Sequence, residues 1–174
     1  MRVVRVPNEF VHPLFFEGNE IIEEEPDVPF PMMMKQTYFY YDLIATNDSV
    51  WKPWEHSEQS IPAVLELWKE EETVLQQCFA KRDRKAAREP MRRALSYLMV
   101  CLFWLNGTRT KNVNHWEQEV SKLPLKPINC VERLQFVFER YDVYHSFVQL
   151  SELFAEVMKL FYKQIAMMKK GMSH

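Results

Sequence analysis

From Leu95 to Leu105 the chain reads L-S-Y-L-M-V-C-L-F-W-L, a run of eleven residues interrupted only by Ser96. As a helix it rises about 16 Å, roughly half of a bilayer's hydrocarbon thickness, so it reads as a buried core helix and not a membrane span. Met91, Ala94, Leu95, Leu98, Leu102 and Leu105 fall on one helical stripe, and Tyr97, Val100, Phe103 and Trp104 widen it until most of the circumference is apolar. A helix apolar nearly all round belongs at the centre of its domain, and the rest of the chain must supply its cover. Pro90 predicts its start, and Asn106-Gly107 its end, because glycine accepts the left-handed conformation that closes many helices.

The cover is legible on both sides of this run. Before it, Ile61, Val64, Leu65, Trp68, Leu75 and Phe79 recur at three-four spacing and predict a helix over 61–81, capped by Ser60, with Glu66, Glu70 and Glu71 in solvent. After it, Asn114-His115-Trp116-Glu117 and Asn129-Cys130-Val131-Glu132 resemble capping boxes, with Asn accepting from the first turn and Glu reaching back. The second of these helices presents Val131, Leu134, Phe138 and Tyr141. Asp142 then reads as the cap of a final helix over about 143–168, with a stripe of Phe147, Leu150, Phe154, Val157, Phe161, Ile165 and Met168. The tail K-K-G-M-S-H is expected to fray. The fold class is therefore all-α: a single-domain bundle of four to five helices.

The N-terminal third is different. Most of the prolines fall at or before Pro62, and residues 1–34 read as extended and irregular. Phe10, Val11, Leu14, Phe15 and Phe16 form an apolar arm. Met32 to Ile44 fits a strand or a short helix equally well. Two units are expected: an arm and connector over 1–58 packed on the body, and a helical domain over 59–170. Charge divides the same way, with 4 Lys/Arg against 11 Asp/Glu in residues 1–58 and 18 against 13 in the remainder. The two parts can attract each other or different partners.

Several function classes find no footing. Only 3 glycines occur, and neither G-x-x-x-x-G-K-[ST] nor G-x-G-x-x-G is present. The three cysteines, Cys78, Cys101 and Cys130, are widely spaced and lack a C-x-x-C, against a disulfide scaffold or zinc ribbon. The start M-R-V-V-R-V-P lacks the apolar core of a signal peptide. The expectation is a cytoplasmic protein with no membrane insertion and no cofactor. Nothing in the residues sets an oligomeric state.

Two constellations carry the functional readings. The first is the polar set Asn129, Glu132, Arg133, Tyr144, His145 and Gln149, placed among large apolar residues around the last two helices. It reads as a buried hydrogen-bond network or as a polar-edged groove that binds a protein partner. The second is the segment Lys81 to Arg93, in which Lys81, Arg82, Arg84, Lys85, Arg88, Arg92 and Arg93 face only Asp83 and Glu89. It reads as a solvated connection paired with the acidic N-terminal third, or as a polyanion site for nucleic acid. The segment lacks interleaved aromatics, which counts against single-strand binding. Asp142 and His145 stand at i, i+3, a spacing found in carboxylate-bridged metal bundles, but that chemistry needs two such motifs and further glutamates. His115 and Glu119 could share a face without a third ligand. His12 and His56 fall in loops, His174 in the tail. No catalytic residue is named.

F-W-L-N-G at 103–107, K-P-I-N-C-V-E-R-L-Q-F at 126–136 and Y-H-S-F-V-Q-L-S-E-L-F at 144–154, with H-P-L-F-F at 12–16 and P-W-E at 53–55, resemble the YpoC-like family of Bacillus and its relatives. The resemblance implies a small cytoplasmic protein and supplies no catalytic residue. It also implies a replication or repair neighbourhood, which carries no mechanism. Asn106, Asn129, Glu132, Arg133, Tyr144, His145, Ser146 and Gln149 are its distinctive positions, expected to share a surface or pocket. The leading reading is a non-enzymatic protein-interaction module. The alternatives are a nucleic-acid-associated accessory protein using 81–93, and a metal-binding or enzymatic protein centred on His145 with Asp142 or Glu139.

Overall fold

The computed structural model describes residues 2–45 and 50–172. Its elements are β1 (Val3–Arg5), β2 (Ile21–Glu23), α1 (Tyr40–Ile44), α2 (Ser57–Ala80), α3 (Arg84–Leu105), α4 (Trp116–Ser121), α5 (Cys130–Glu139) and α6 (Tyr144–Met172), with 3-10 turns at Asn8–Phe10, Met32–Lys35 and Pro53–Glu55. The protein is mainly α-helical, and α3 is its axis. Every residue from Ala94 to Leu105 is buried. Helix α2 packs along α3 as an antiparallel hairpin, α6 packs on both, α5 packs on α6, and α4 packs on α5.

Burial explains the hairpin's strongest polar tie. Arg93 of α3 grips Glu71 of α2 through Nε–Oε1 at 2.6 Å and Nη2–Oε2 at 3.2 Å. Glu71 is therefore buried, contrary to its expected place in solvent, because a guanidinium arrives to neutralise it. Beside this tie, Trp68 of α2 stacks on Phe154 of α6, with ring centroids 4.2 Å apart and planes 9° from parallel.

The helix ends show where local signals were outweighed. Helix α2 starts at Ser57, four residues early, and Ser60 is buried within it, donating its hydroxyl to the Pro53 carbonyl at 2.8 Å instead of capping. Helix α3 starts at Arg84, with Asp83 capping through a bond from the Ala86 N–H at 3.0 Å. Pro90 thus lies inside α3 rather than at its start: a cap upstream supplied the nucleus, and proline lacks only one intrahelical donor. Both α2 and α3 close by the same six-residue wrap. After α3, Thr108 N–H reaches Phe103 O at 3.1 Å and Gly107 N–H reaches Trp104 O at 3.0 Å, with Gly107 at φ 72° as expected. After α2, Asp83 N–H reaches Cys78 O at 2.8 Å and Arg82 N–H reaches Phe79 O at 3.0 Å, but an arginine, at φ 56°, holds the left-handed position.

Neither asparagine box forms. Asn129 precedes α5 in the left-handed region, at φ 55°, and its side chain caps nothing. Helix α4 starts at Trp116, and Asn114 instead donates to the Val11 carbonyl at 3.1 Å. Asp142 is drawn away from capping by arginines described below. Helix α6 continues through Lys169 to Met172, further than the fraying expected of the tail, and His174 lies outside the described residues.

The N-terminal segment contains an antiparallel pair that the sequence did not suggest, with Val4 opposite Ile22. Met32–Lys35 and Tyr40–Ile44 settle the ambiguous stretch as helical turns. Phe10, Phe15, Phe16, Met33, Met34 and Phe39 are buried in one core with α3. Asp42 of α1 is fully buried, accepting from Trp104 Nε1 at 3.2 Å and from the Thr110 N–H at 2.6 Å, while Arg109 donates to its backbone carbonyl at 3.2 Å.

Candidate functional site

Helices α5 and α6 run antiparallel, and Arg133 ties them. Its Nη1 donates to the Ile128 carbonyl at 3.0 Å and its Nη2 to Glu156 at 2.5 Å. The Gln149 amide also lies against this guanidinium, and with its oxygen turned toward the arginine it accepts from Nη2 at 2.9 Å. Arg133 and Gln149 of the predicted polar set are thus brought together, joined by Glu156, which the sequence reading left out. The other four stand apart. Asn129 and Glu132 are exposed on the outer face of α5's first turn. Tyr144 leans the other way, toward α2, edge-on to Phe79 at 5.9 Å. His145 is exposed, and among the described residues its side chain makes no hydrogen bond, neither to Arg133 nor to Asn129. The network around Arg133 is only half-buried, and the six residues do not line one groove.

The basic segment is the α2–α3 turn and the first turns of α3, and most of its arginines are engaged. Arg84 and Arg88 converge on Asp142 at 2.9 and 3.1 Å. Burial pushes the Asp142 carboxyl up, but the hydrogen bonds and charges of the two guanidiniums outweigh it and hold the group below the usual carboxylate range. Arg92 donates to the Tyr141 hydroxyl at 2.9 Å, and Arg93 holds Glu71. The partners come from α2, the α5–α6 turn and Glu89 of α3 itself, not from the acidic N-terminal third. Lys81, Arg82 and Lys85 remain exposed and make no ion pair among the described residues. Arg82 borders a recess of about 600 Å³ walled by Gln76, Phe79, Tyr144 and Phe147. The aromatics missing from the segment itself are supplied here by α2 and α6.

His12, Cys101 and Cys130 are occupied by packing, whereas His56, His115 and His145 are exposed. His12 is half-buried against Phe15 and Phe138, and its Nδ1 accepts from the Leu14 N–H at 3.1 Å. Burial lowers its pKa, opposed by Glu117. His56 stacks on Trp51 at 5.3 Å. Burial pushes the Cys130 thiol up to about 12 and raises Cys101 further. Among the described residues no three His, Cys, Asp or Glu side chains gather as a metal ion would require. No helix of the described residues is long and apolar enough to cross a membrane.

One surface was missed by the sequence reading. Between α6 and the irregular loop before α5 runs a groove in two adjoining recesses of about 460 and 250 Å³, which share Leu160 and Lys163. Leu125, Pro127 and Ile128 form one wall, and Leu160, Gln164, Met167 and Met168 the other. The loop wall is held in place. Asn106 donates to the Leu125 carbonyl at 2.8 Å and accepts from the Leu125 N–H at 2.9 Å, clamping that peptide from both sides. Arg133 holds the Ile128 carbonyl. Ile128 is nonetheless 78% exposed and Met167 64%. The available signal was length: α6's apolar stripe runs past Phe161, the last of its buried residues, and Met168, expected in the core, is exposed.

The architecture and these surfaces define a mainly helical protein whose polar clusters chiefly tie helices together. The YpoC-like protein family model matches residues 58–169, and the chain belongs to that family. A relative from Bacillus subtilis (strain 168), uncharacterized protein YpoC, is 34% identical over 115 residues, covering 66% of this chain and 70% of its own. No solved structure matches.

Proposed function

We propose that the protein is a non-enzymatic interaction module of the cytoplasm, and that a segment of a partner protein docks in the groove between α6 and the loop before α5. The observation that carries this reading is the pairing of exposure with rigidity. Ile128 is left in solvent on a wall that Asn106 and Arg133 hold in place, and Met167 on a stretch of α6 tied to the axial helix by Gln164, which donates to the Leu105 carbonyl at 3.3 Å. Exposed apolar surface on a preorganised wall lowers the ordering cost of association. A photo-cross-linking residue at position 128, and separately at 167, tests it in native extract treated with nuclease. The same protein captured from both walls, and lost on Leu160→Asp, supports the reading. Capture no different from a cross-linker at Val74 on α2 refutes it.

A second reading, association with single-stranded nucleic acid, is favoured by the Arg82 recess. Lys81, Arg82 and Lys85 are available for phosphate, and Tyr144 offers a ring face for a base. The informative variant is Lys81→Glu/Arg82→Glu/Lys85→Glu, because Arg88 and Arg92 already hold partners within the fold. Fluorescence anisotropy of a labelled oligothymidine should lose its salt-sensitive binding in this variant. Equal binding by variant and wild type excludes the recess.

A further inference from the structure

We infer that the occupant of the groove is an acidic amphipathic helix. The inference rests on the groove being the docking surface and names what docks.

The backbone of the groove argues for a helix over an extended strand. One wall is α6, whose peptide groups are bonded within the helix, and the Leu125 peptide of the other wall is spent on Asn106. An incoming strand would bury N–H and C=O groups without a ladder to receive them, whereas a helix brings its backbone already satisfied. The lining residues Leu160, Gln164, Met167 and Met168 recur at three-four spacing along α6. From Glu156 to Met168 the wall extends about 18 Å, the reach of some three helical turns. Methionine fills gaps between irregular partners more readily than a branched side chain.

Charge selects the partner's flanks. After Glu156, which Arg133 holds, α6 carries Lys159, Lys163, Lys169 and Lys170 and no carboxylate. Lys169 and Lys170 suit the negative end of a helix dipole. Lys159 and Lys163 stand several turns from that end and both border the groove. They are exposed, and neither makes an ion pair among the described residues. A second copy of this chain docking through the same face would bring lysine against lysine. A helix with a seam of leucine or phenylalanine and glutamates alongside meets both the apolar floor and the basic rim.

The test uses the full chain with two designed fluorescent peptides of about five helical turns, sharing one Leu/Phe seam and flanked by Glu in one and Lys in the other. Anisotropy should show binding of the Glu-flanked peptide alone. Lys159→Glu/Lys163→Glu should weaken it by about tenfold or more and admit the Lys-flanked peptide. Ile128→Asp and Met167→Asp, both at exposed positions, should abolish binding with an unchanged circular dichroism spectrum. Equal binding of the two peptides, or binding indifferent to these variants, overturns the inference. Binding to vesicles of equal parts phosphatidylcholine and phosphatidylglycerol, with neither peptide retained, overturns it in favour of a membrane surface. If both peptides fail while the cross-linker at 128 still captures one protein that Leu160→Asp loses, the occupant is wrong and the docking reading stands. If cross-linking fails as well, the docking reading falls with it.

Discussion

Single residues record conflicts between local rules and the whole. Arg82 is one: it occupies the left-handed position that Gly107 fills at the end of α3, in the same hydrogen-bonded wrap. A non-glycine residue there costs about 1 kcal/mol. Arg82→Gly should therefore raise the urea-unfolding free energy by about 0.5–1 kcal/mol, while removing the cation from the aromatic recess. A gain in stability with a loss of oligothymidine binding would mean that strain is retained for a ligand; a variant no more stable than wild type contradicts the strain argument. Asp42 is a second. Burial pushes its pKa from the ordinary 3.8 up to about 6, against the pull of its bonds from Thr110 and Trp104 and of the Arg109 charge. The folded state thus binds this proton more tightly than the unfolded chain does. The associated stability is fully present below about pH 4 and is lost as pH rises through about 6, a span of about 3 kcal/mol at most. Asparagine cannot titrate, so the difference in unfolding free energy between wild type and Asp42→Asn should fall across that window and flatten above it. A difference constant from pH 4 to 7 contradicts the assignment.

At the scale of elements, what the sequence disclosed followed from periodicity, and what it withheld followed from tertiary choice. The axial position of α3 was legible because a helix apolar all round has one place to go. The stripe of α2 was legible for the same reason, and Trp68 within it meets Phe154 face to face. Trp68→Ala should cost about 3–5 kcal/mol, read as a fall in the urea midpoint at unchanged slope; a loss below about 1 kcal/mol would mean that α2 and α6 are not held there. Boundaries were less legible. Ser60 and Asn129 carry cap chemistry, but one hydroxyl found the Pro53 carbonyl and the other residue adopted a left-handed turn. The candidate sites were legible in part. Arg133 and Gln149 met because both lie on facing stripes of antiparallel helices, whereas Tyr144 and His145, one residue apart, point to different surroundings about 100° round the helix. The groove escaped notice because an uncovered stripe looks, in sequence, the same as a covered one.

The whole molecule is closed by its N-terminal segment. His12 and Phe15 pack on Phe138 of α5, Lys35 pairs with Glu70 of α2 at 2.8 Å, and the Glu9 carbonyl accepts from the Asn114 N–H at 2.9 Å. Phe30 lies against Trp104 of the axial helix. Contacts spread over so many elements predict a single cooperative unfolding transition. Tryptophan fluorescence, near-ultraviolet and far-ultraviolet circular dichroism should give coincident midpoints in urea; an early near-ultraviolet transition would show the segment detaching by itself.

The same clasp has a meaning for the order of synthesis. His12 and Phe15 are synthesised early, yet their seat on Phe138 follows more than a hundred residues later, on the order of ten seconds at ordinary elongation rates. For that interval Phe10, Phe15 and Phe16 have only His12, Tyr38 and Phe39 among their native ring partners to pack against. A chain that is helical by content therefore matures by its most distant contacts, and its final docking belongs to the slower kinetics of non-local topologies.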